Sequence, residues 1–278
     1  MTDRMQLKGR AAIITGAASG IGRALAHALA RRGCDLALAD VNEAGLQDTA
    51  HGAAPGARIT CHRLDVGDAR AIAAFPEIVL AEHSRVDLLV NNAGVALGGT
   101  FEQVIEADFD WLLAINFFGV VRMTRAFLPV LKASDDARIV NISSVFGLIA
   151  PPGQTAYCAS KFAVRGFSES LRHELKDTRV GVTVVHPGGV ATAIARNARA
   201  PQELSGEHLE AVRAWAEAQL KLAPDKAAET IVRAIERRQA RVIVGSDAKI
   251  ASLIERIAPV AHWDWLQRLR PGAQRPST

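Results

Sequence analysis

The chain has 278 residues, 49% of them hydrophobic, and a formal net charge of +4. That length and apolar content suit one large α/β domain. Residues 225–278 carry ten Lys or Arg against six Asp or Glu and the first 224 residues balance at 23 each, so a uniformly basic nucleic-acid surface is excluded as an expectation. Three cysteines, Cys34, Cys61 and Cys158, form an odd set with no C-x-x-C spacing; this argues against a disulfide framework and fits a reducing compartment. The opening MTDRMQLKGR has no apolar signal core. No stretch supplies the roughly 18 consecutive apolar residues of a membrane span. A cytoplasmic enzyme is the expectation.

Strand-like apolar runs alternate with helical patterns along the chain. Residues 11–15 read as a buried strand and 21–31 as a helix. A second strand at 36–40 precedes a weaker helix at 42–50. A third strand at 58–64 precedes a helix at 69–83, and a fourth strand occupies 86–91. A long helix spans 109–131. A fifth strand at 138–143 leads to a helix at 157–175, a sixth strand fills 180–186, and a short seventh lies at 241–245. Continuous apolar strands alternating with amphipathic helices predict an α/β fold, a Rossmann-type doubly wound parallel sheet of about seven strands with helices on both faces. Its site belongs at the carboxyl ends of the strands. Residues 1–245 form the expected single dinucleotide-binding and catalytic domain, and 246–278 a C-terminal extension, helical and then disordered.

The first strand–helix turn is TGAASGIG, with glycines at 16, 20 and 22. Such a turn permits close approach of a pyrophosphate to the next helix's N-terminus, although glycine-rich turns also serve packing. Asp40 ends the second strand, where a carboxylate can accept hydrogen bonds from an adenosine ribose and would repel a 2′-phosphate. Ser19 offers no cation in the turn and Val41, not Arg, follows Asp40; these features favour NAD over NADP. Asp40 could instead simply cap the next helix. Asp65 with Val66, and Asn91-Asn92-Ala93-Gly94, end the third and fourth strands.

The stretch NISSVFGLIAPPGQTAYCASK, residues 141–161, holds Ser144, Tyr157 and Lys161, and Tyr157 is the only tyrosine in the chain. A phenol and an amine four residues apart share one helix face. A free phenol, with a pKa of about 10, is a poor base at neutral pH; lowering it by ~2–3 units needs roughly 3–4 kcal/mol, and a neighbouring ammonium works in that direction. The tuned phenol can take a proton from an alcohol or return it to an alkoxide. Taken alone, Y-x-x-x-K is also an ordinary helix face.

The ordered set TGAASGIG (15–22), Asp40, LDV (64–66), NNAG (91–94), Asn116 in INFFG, NISS (141–144), YCASK (157–161) and HPGGVAT (186–192) resembles the short-chain dehydrogenase/reductase family, in its short single-domain form, over about residues 8–245. The resemblance implies that Gly16, Ser19, Ile21 and Gly22 line the pyrophosphate and its ribose and that Asp40 binds the adenosine ribose. It further implies that Asp65 and Val66 hold the adenine, and that Asn92 and Gly94 lie along the cofactor. Tyr157 is then the general acid/base and Ser144, thirteen residues before it, orients the substrate oxygen. Lys161 binds the nicotinamide ribose and depresses the tyrosine pKa, Asn116 helps to hold a relay water, and Pro187, Gly188, Val190 and Thr192 contact the nicotinamide end. No metal is implied. The segment of about 191–223 corresponds to the family's substrate lid. The long helix and the active-site helix offer the family's dimer and tetramer faces.

Leu204, Leu209, Val212, Trp215 and Leu220, with Val145, Phe146, Leu148, Ile149 and Val95 to Leu97, could line a lipophilic cavity or simply pack helices. The expected activity is NAD-dependent hydride transfer between nicotinamide and an apolar secondary alcohol or ketone. The alternatives are an NADP-dependent carbonyl reductase, a membrane-associated lipid-metabolising dehydrogenase and a non-catalytic cofactor-binding module. Ile250, Leu253, Ile254 and Ile257 give an apolar helix face in the extension, and Trp263, Trp265, Leu266 and Leu269 follow among Arg268 and Arg270. That tail could touch a membrane surface or pack on its own domain or a partner subunit.

Overall fold

A computed structural model describes residues 4–201 and 204–269. The disorder expected of PGAQRPST lies outside these residues. The strands are β1 (Ala11–Thr15), β2 (Asp35–Asp40), β3 (Ile59–Arg63), β4 (Leu88–Asn91), β5 (Ala137–Ile142), β6 (Val180–Pro187) and β7 (Arg241–Val244). They form one parallel sheet in the order β3-β2-β1-β4-β5-β6-β7. The helices are α1 (Gly20–Ala30), α2 (Glu43–His51), α3 (Ala69–Glu82), α4 (Glu106–Leu113), α5 (Gly119–Ala133), α6 (Thr155–Glu174), α7 (Gly206–Ala218), α8 (Pro224–Glu236), α9 (Ser246–Ile257) and α10 (His262–Leu269). The Rossmann-type sheet is as the apolar runs predicted, with every strand boundary within two residues.

Alternation along each strand divides the core. Ile14, Leu36, Leu38, Leu88, Val90 and Val140 face α1 and α8, with Leu25, Leu29, Ile231 and Ile235 packed against them. Ile13, Ala37, Leu89, Ile139 and Val182 face the other way, onto Phe75, Met123, Phe127 and Leu171 of α3, α5 and α6. Helix α8 was not foreseen. Its buried residues Ala227, Ala228, Ile231, Val232 and Ile235 follow helical spacing, and Pro224 stands in its first turn, where its missing N–H costs nothing.

Side-chain caps start two of the other helices. Asp68 accepts from the Arg70 and Ala71 N–H groups to cap α3, and Asn42 accepts from Gly45 N–H to cap α2. Helices α4 and α5 run on through a π-helical turn, Ala114–Phe118. The continuous run Glu106–Ala133 is long and apolar enough to cross a membrane by length and composition alone. It is interrupted by charge in sequence, which is why no apolar run stood out, and here Leu112, Met123, Phe127 and Leu131 are buried in the core.

The amino edge of the sheet is stapled by Asp87, whose side chain is fully buried. It accepts from Ala11 N–H (3.0 Å), Ser134 Oγ (2.6 Å), Arg85 Nη2 (2.6 Å) and Arg10 Nη1 (3.2 Å). Burial works to raise its pKa, but the bonds from Arg85, Ser134 and Ala11 outweigh it and hold the carboxyl below its ordinary value. Replacing Asp87 by Ala strips the buried acceptor from two arginines and is expected to cost about 3–5 kcal/mol in urea unfolding. A loss of under about 1 kcal/mol, the range of an exposed pair, would show the staple to be dispensable.

Candidate active site

Every strand from β1 to β6 delivers a site residue at its carboxyl end, because parallel pairing aligns those ends on one edge. At the end of β1, Gly16 has φ of 66° and Gly20 φ of 53°, values that L side chains rarely adopt. A Cβ at Gly22 would collide with the Gly16 carbonyl, and one at Gly16 would stand 2.8 Å from Ala93 Cα. Ser19 precedes α1 without a side-chain capping bond, so the first-turn N–H groups keep their capacity for an anion. This bare cradle fits a dinucleotide pyrophosphate. Thr192 reaches the same turn: a Cβ at Gly20 would lie 2.9 Å from Thr192 Cγ2.

Asp40 closes the other end of the cradle. One oxygen accepts from Ala18 N–H and the other from Asn42 N–H, each at 3.0 Å. It therefore fixes the glycine turn as well as presenting a negative charge, and remaining lone pairs leave room for ribose hydroxyls. It does not itself cap α2; Asn42 does. Asp65 Oδ1 accepts from Gly67 N–H at 2.7 Å, and Val66 is buried against Gly119. Ile21 is half-buried against the core.

Two asparagines act as scaffold. Asn92 Nδ2 donates to the Thr15 and Gly16 carbonyls (3.0 and 3.1 Å), tying the end of β4 to the glycine turn. Asn116, in the π-helical turn, accepts from Val95 N–H (2.8 Å) and donates to Val95 O (2.9 Å) and Ser160 Oγ (3.3 Å). Its side-chain amide is consumed by protein groups. Gly94 lies between them: a Cβ there would be 3.2 Å from Asn116 Oδ1 and 3.4 Å from Lys161 Nζ.

Helix α6 presents Tyr157 and Lys161 on its buried face, 9% and 4% exposed. Lys161 Nζ donates to Ile142 O (3.2 Å) and lies 5.6 Å from the Tyr157 ring centre. Ser144 is the polar neighbour that pulls the Tyr157 pKa down, and its Oγ accepts from Phe146 N–H. Ser143 is committed elsewhere, donating to Lys161 O at 2.8 Å, so Ser144 is the serine at the phenol. Burial pushes the Tyr157 phenol up to about 12, against the pull of Ser144, and burial brings the Lys161 ammonium down to about 8. The lowered tyrosine pKa expected from the lysine does not appear, because desolvation of the buried phenolate dominates.

Tyr157 is walled by Leu97, Leu112 and Ala156, with Val95, Ala96, Phe109, Trp111 and Phe146 packed against this cluster. Leu148, Ile149 and Leu204 are buried, whereas Leu209, Val212, Trp215 and Leu220 are half-buried. From the segment expected to form the lid, Arg199 reaches this region. Arg199 pairs its backbone with Ala96 and Gly98, stacks 3.6 Å over the Trp111 ring and bonds Asp108 at 2.6 Å. The latching role of Arg199 and Trp111 carried no sequence motif. Val190 is buried and bridges to Leu222. Pro187 ends β6, and Gly188 N–H donates to Val244 O.

His186 was also unforeseen. It is fully buried, and its Nδ1 lies 3.0 Å from Ser144 O. The acceptor is a carbonyl, so Nδ1 carries the proton and donates. Burial brings the imidazole down to about 4.

Comparison with known proteins agrees with this geometry. The short chain dehydrogenase profile matches residues 10–203. The chain belongs to the short-chain dehydrogenase/reductase family. It is 46% identical over 254 residues to a Mycobacterium tuberculosis protein named as the oxidoreductase SadH, covering 90% of this chain and 91% of that one. It is 34% identical over 272 residues to an Anopheles gambiae dehydrogenase/reductase SDR family protein 7-like, covering 95% and 84%. Among solved structures, a short chain dehydrogenase/reductase from Burkholderia phymatum in complex with NAD matches with a TM-score of 0.81 at 32% identity, over 99% of both chains. An alcohol dehydrogenase from Thermococcus sibiricus complexed with 5-hydroxy-NADP matches at 0.71 and 30%, over 85% and 94%. This chain is therefore an oxidoreductase that binds a nicotinamide cofactor and acts on CH–OH groups.

The neutral His186 predicts a pH dependence of stability. Its folded pKa, about 4, lies below the ordinary 6.5. The unfolded chain therefore binds the extra proton first, and stability is full above 6.5 and lost as pH falls towards 4. Urea unfolding at pH 7 and 4.5 should show wild type losing up to about 3 kcal/mol more than His186→Gln over that interval; equal losses would refute a buried neutral imidazole.

Proposed function

We propose that the protein is an NAD-dependent dehydrogenase that interconverts an apolar secondary alcohol and its ketone. The observation that carries this reading is the placement of buried Tyr157 in an apolar cluster, with Ser144 as its polar neighbour and the Lys161 ammonium 5.6 Å from its ring centre. In oxidation, Ser144 holds the substrate oxygen while Tyr157 takes the hydroxyl proton; reduction reverses both transfers. The bound nicotinamide supplies the hydride acceptor or donor and, when oxidised, a positive charge. Lys161 contributes its own charge from one side, and the phenol must be brought down from about 12 by that charge together with closure of the site. Because the Asn116 side chain is committed to Val95 and Ser160, a proton relay through Asn116 would use its main-chain carbonyl.

Segment 191–223 serves as the lid over the substrate, held by the Arg199 stack on Trp111. The half-buried apolar residues of α7 suit it to a lipophilic ligand. Exposed Phe118 and Phe162, on the π-helical turn and α6, support assembly of this enzyme as a homo-oligomer through those helices.

The preference for NAD rests on the Asp40 carboxylate, which stands where a 2′-phosphate would add a second negative charge. One observation favours NADP instead. Arg63 pairs in register with Asp40 on the neighbouring strand and makes an exposed contact with Glu43.

Two experiments test these readings. Tyr157→Phe is expected to lower turnover at least about a thousandfold, since it removes the proton-transfer group, while NADH fluorescence titration stays within about twofold of wild type. Retained turnover would sink the mechanism. Wild type should bind NADH at least about tenfold more tightly than NADPH, and Asp40→Ala should narrow that gap. A wild-type preference for NADPH would move the assignment to a carbonyl reductase.

A further inference from the structure

The loop after β6 is tied to three other parts of the chain. Gly188 N–H donates to Val244 O (2.8 Å), at the end of β7; Leu222 N–H donates to Gly189 O (2.9 Å), and Ala191 N–H to Leu222 O (2.8 Å). Gly189 N–H takes a different partner, Oδ2 of Asp247 at 2.8 Å. Asp247 sits in the first turn of α9, in the C-terminal extension. Its carboxylate lies so close that a Cβ at Gly188 or Gly245 would collide with it. Gly245 turns the chain from β7 into α9 with φ of 101°, which brings Asp247 back under the loop. Helix α9 also packs against the short helical turn after Ser144, Val145–Gly147.

An acid in a helix's first turn is favourable by itself. That explains a carboxylate at this position, but not its bond to a loop 58 residues away or the two glycines that make room for it. Main-chain bonds anchor Gly188 N–H and Gly189 O, whereas the Gly189 N–H takes the Asp247 carboxylate.

We propose that Asp247 is a positioning residue for the cofactor: by accepting from Gly189 N–H it fixes loop 187–192 at the height the nicotinamide end requires, so that α9 belongs to the cofactor site. The inference rests on the nicotinamide reading of that loop. Its reach is through Gly189, and Asp247 takes no part in proton or hydride transfer. The charge strengthens the bond, but an amide oxygen in the same place would still accept it.

The test uses the full chain and three readouts. In the protein without added cofactor, amide exchange followed by NMR should show Gly189 protected in wild type and in Asp247→Asn, and exposed in Asp247→Ala. NADH titration should give Asp247→Ala a Kd raised about tenfold, the loss of one charge-assisted hydrogen bond, with Asp247→Asn within about threefold of wild type. Steady-state kinetics should place the defect in KM for NAD, with kcat at saturating NAD within about twofold. Gly188→Ala should weaken NADH binding by crowding the carboxylate, and Gly188→Ala combined with Asp247→Ala should bind better than Gly188→Ala alone. That pair keeps the test open if Asp247→Ala folds poorly. Unchanged NADH binding or unchanged Gly189 exchange in Asp247→Ala overturns the proposal, as does an Asn variant as weak as the Ala variant. If wild type binds no NADH, the nicotinamide reading itself falls; if wild type binds and Asp247→Ala is unaffected, only the positioning role falls.

Discussion

A lysine ammonium buried to 4% exposure is the constraint around which this site is built. An isolated ammonium in the interior loses its hydration, which burial alone translates into a pKa near 8. What retains it is the Ile142 carbonyl, the edge of Gly94 and the face of Tyr157. None of these is a counter-ion, so the charge is stored rather than neutralised. It remains available to hydroxyls, and to the phenol, which also pays for burial by a raised pKa. Two groups whose environments push each towards its neutral form are the arrangement in which acid–base chemistry near neutral pH becomes accessible.

Holding that strained pair requires a rigid floor, and the sheet supplies it through polar ties as well as packing. Asn91 Nδ2 donates to Asn141 Oδ1 (2.8 Å) and to Thr124 Oγ1 (3.2 Å), and Asn141 Nδ2 donates to Ser168 Oγ (2.9 Å). This buried chain links α5, β4, β5 and α6. It fixes the angle of α6, and with it the placement of Tyr157 and Lys161, more tightly than apolar contacts alone would. His186 then steadies Ser144 from β6, so the serine and the tyrosine are held by different strands and meet only when both are in register.

Much of this was readable beforehand. Buried parallel strands are continuous apolar runs, so Ile13-Ile14 and Leu88-Leu89-Val90 declared the sheet, and the motifs declared its ligand edge. Helix α8 escaped because five charged residues are interleaved with its buried ones and three of those are only alanines, although the spacing of Ala227, Ile231 and Ile235 was there to be found. The direction of the Tyr157 shift escaped for a different reason: sequence shows which charges are neighbours but not how much water each has lost. Asn92 and Asn116 carry the same lesson. Their presence at the site was legible, but whether an amide faces a ligand or a backbone carbonyl depends on a rotamer. His186, Arg199 and Asp247 act through pairings between distant segments that no local pattern encodes.

The strand order has a consequence for how the chain is assembled. Strand β1 lies inside the sheet, and its second neighbour is β4, not β3. The first three strands with α1 and α2 can gather locally, but one edge of β1 keeps unpaired N–H and C=O groups until Leu88–Val90 arrives. The arrival coincides with Asp87, whose carboxylate meets Ala11 N–H at the first residue of β1. The buried staple thus acts as a register pin, matching one strand start to the other before the central hydrogen bonds close. A one-residue slip there would turn Ile13 and Ile14 to the wrong layers. Non-local pairing of this kind is slow, and during synthesis the exposed flank of β1 is the surface through which this protein is most open to pairing with another nascent chain.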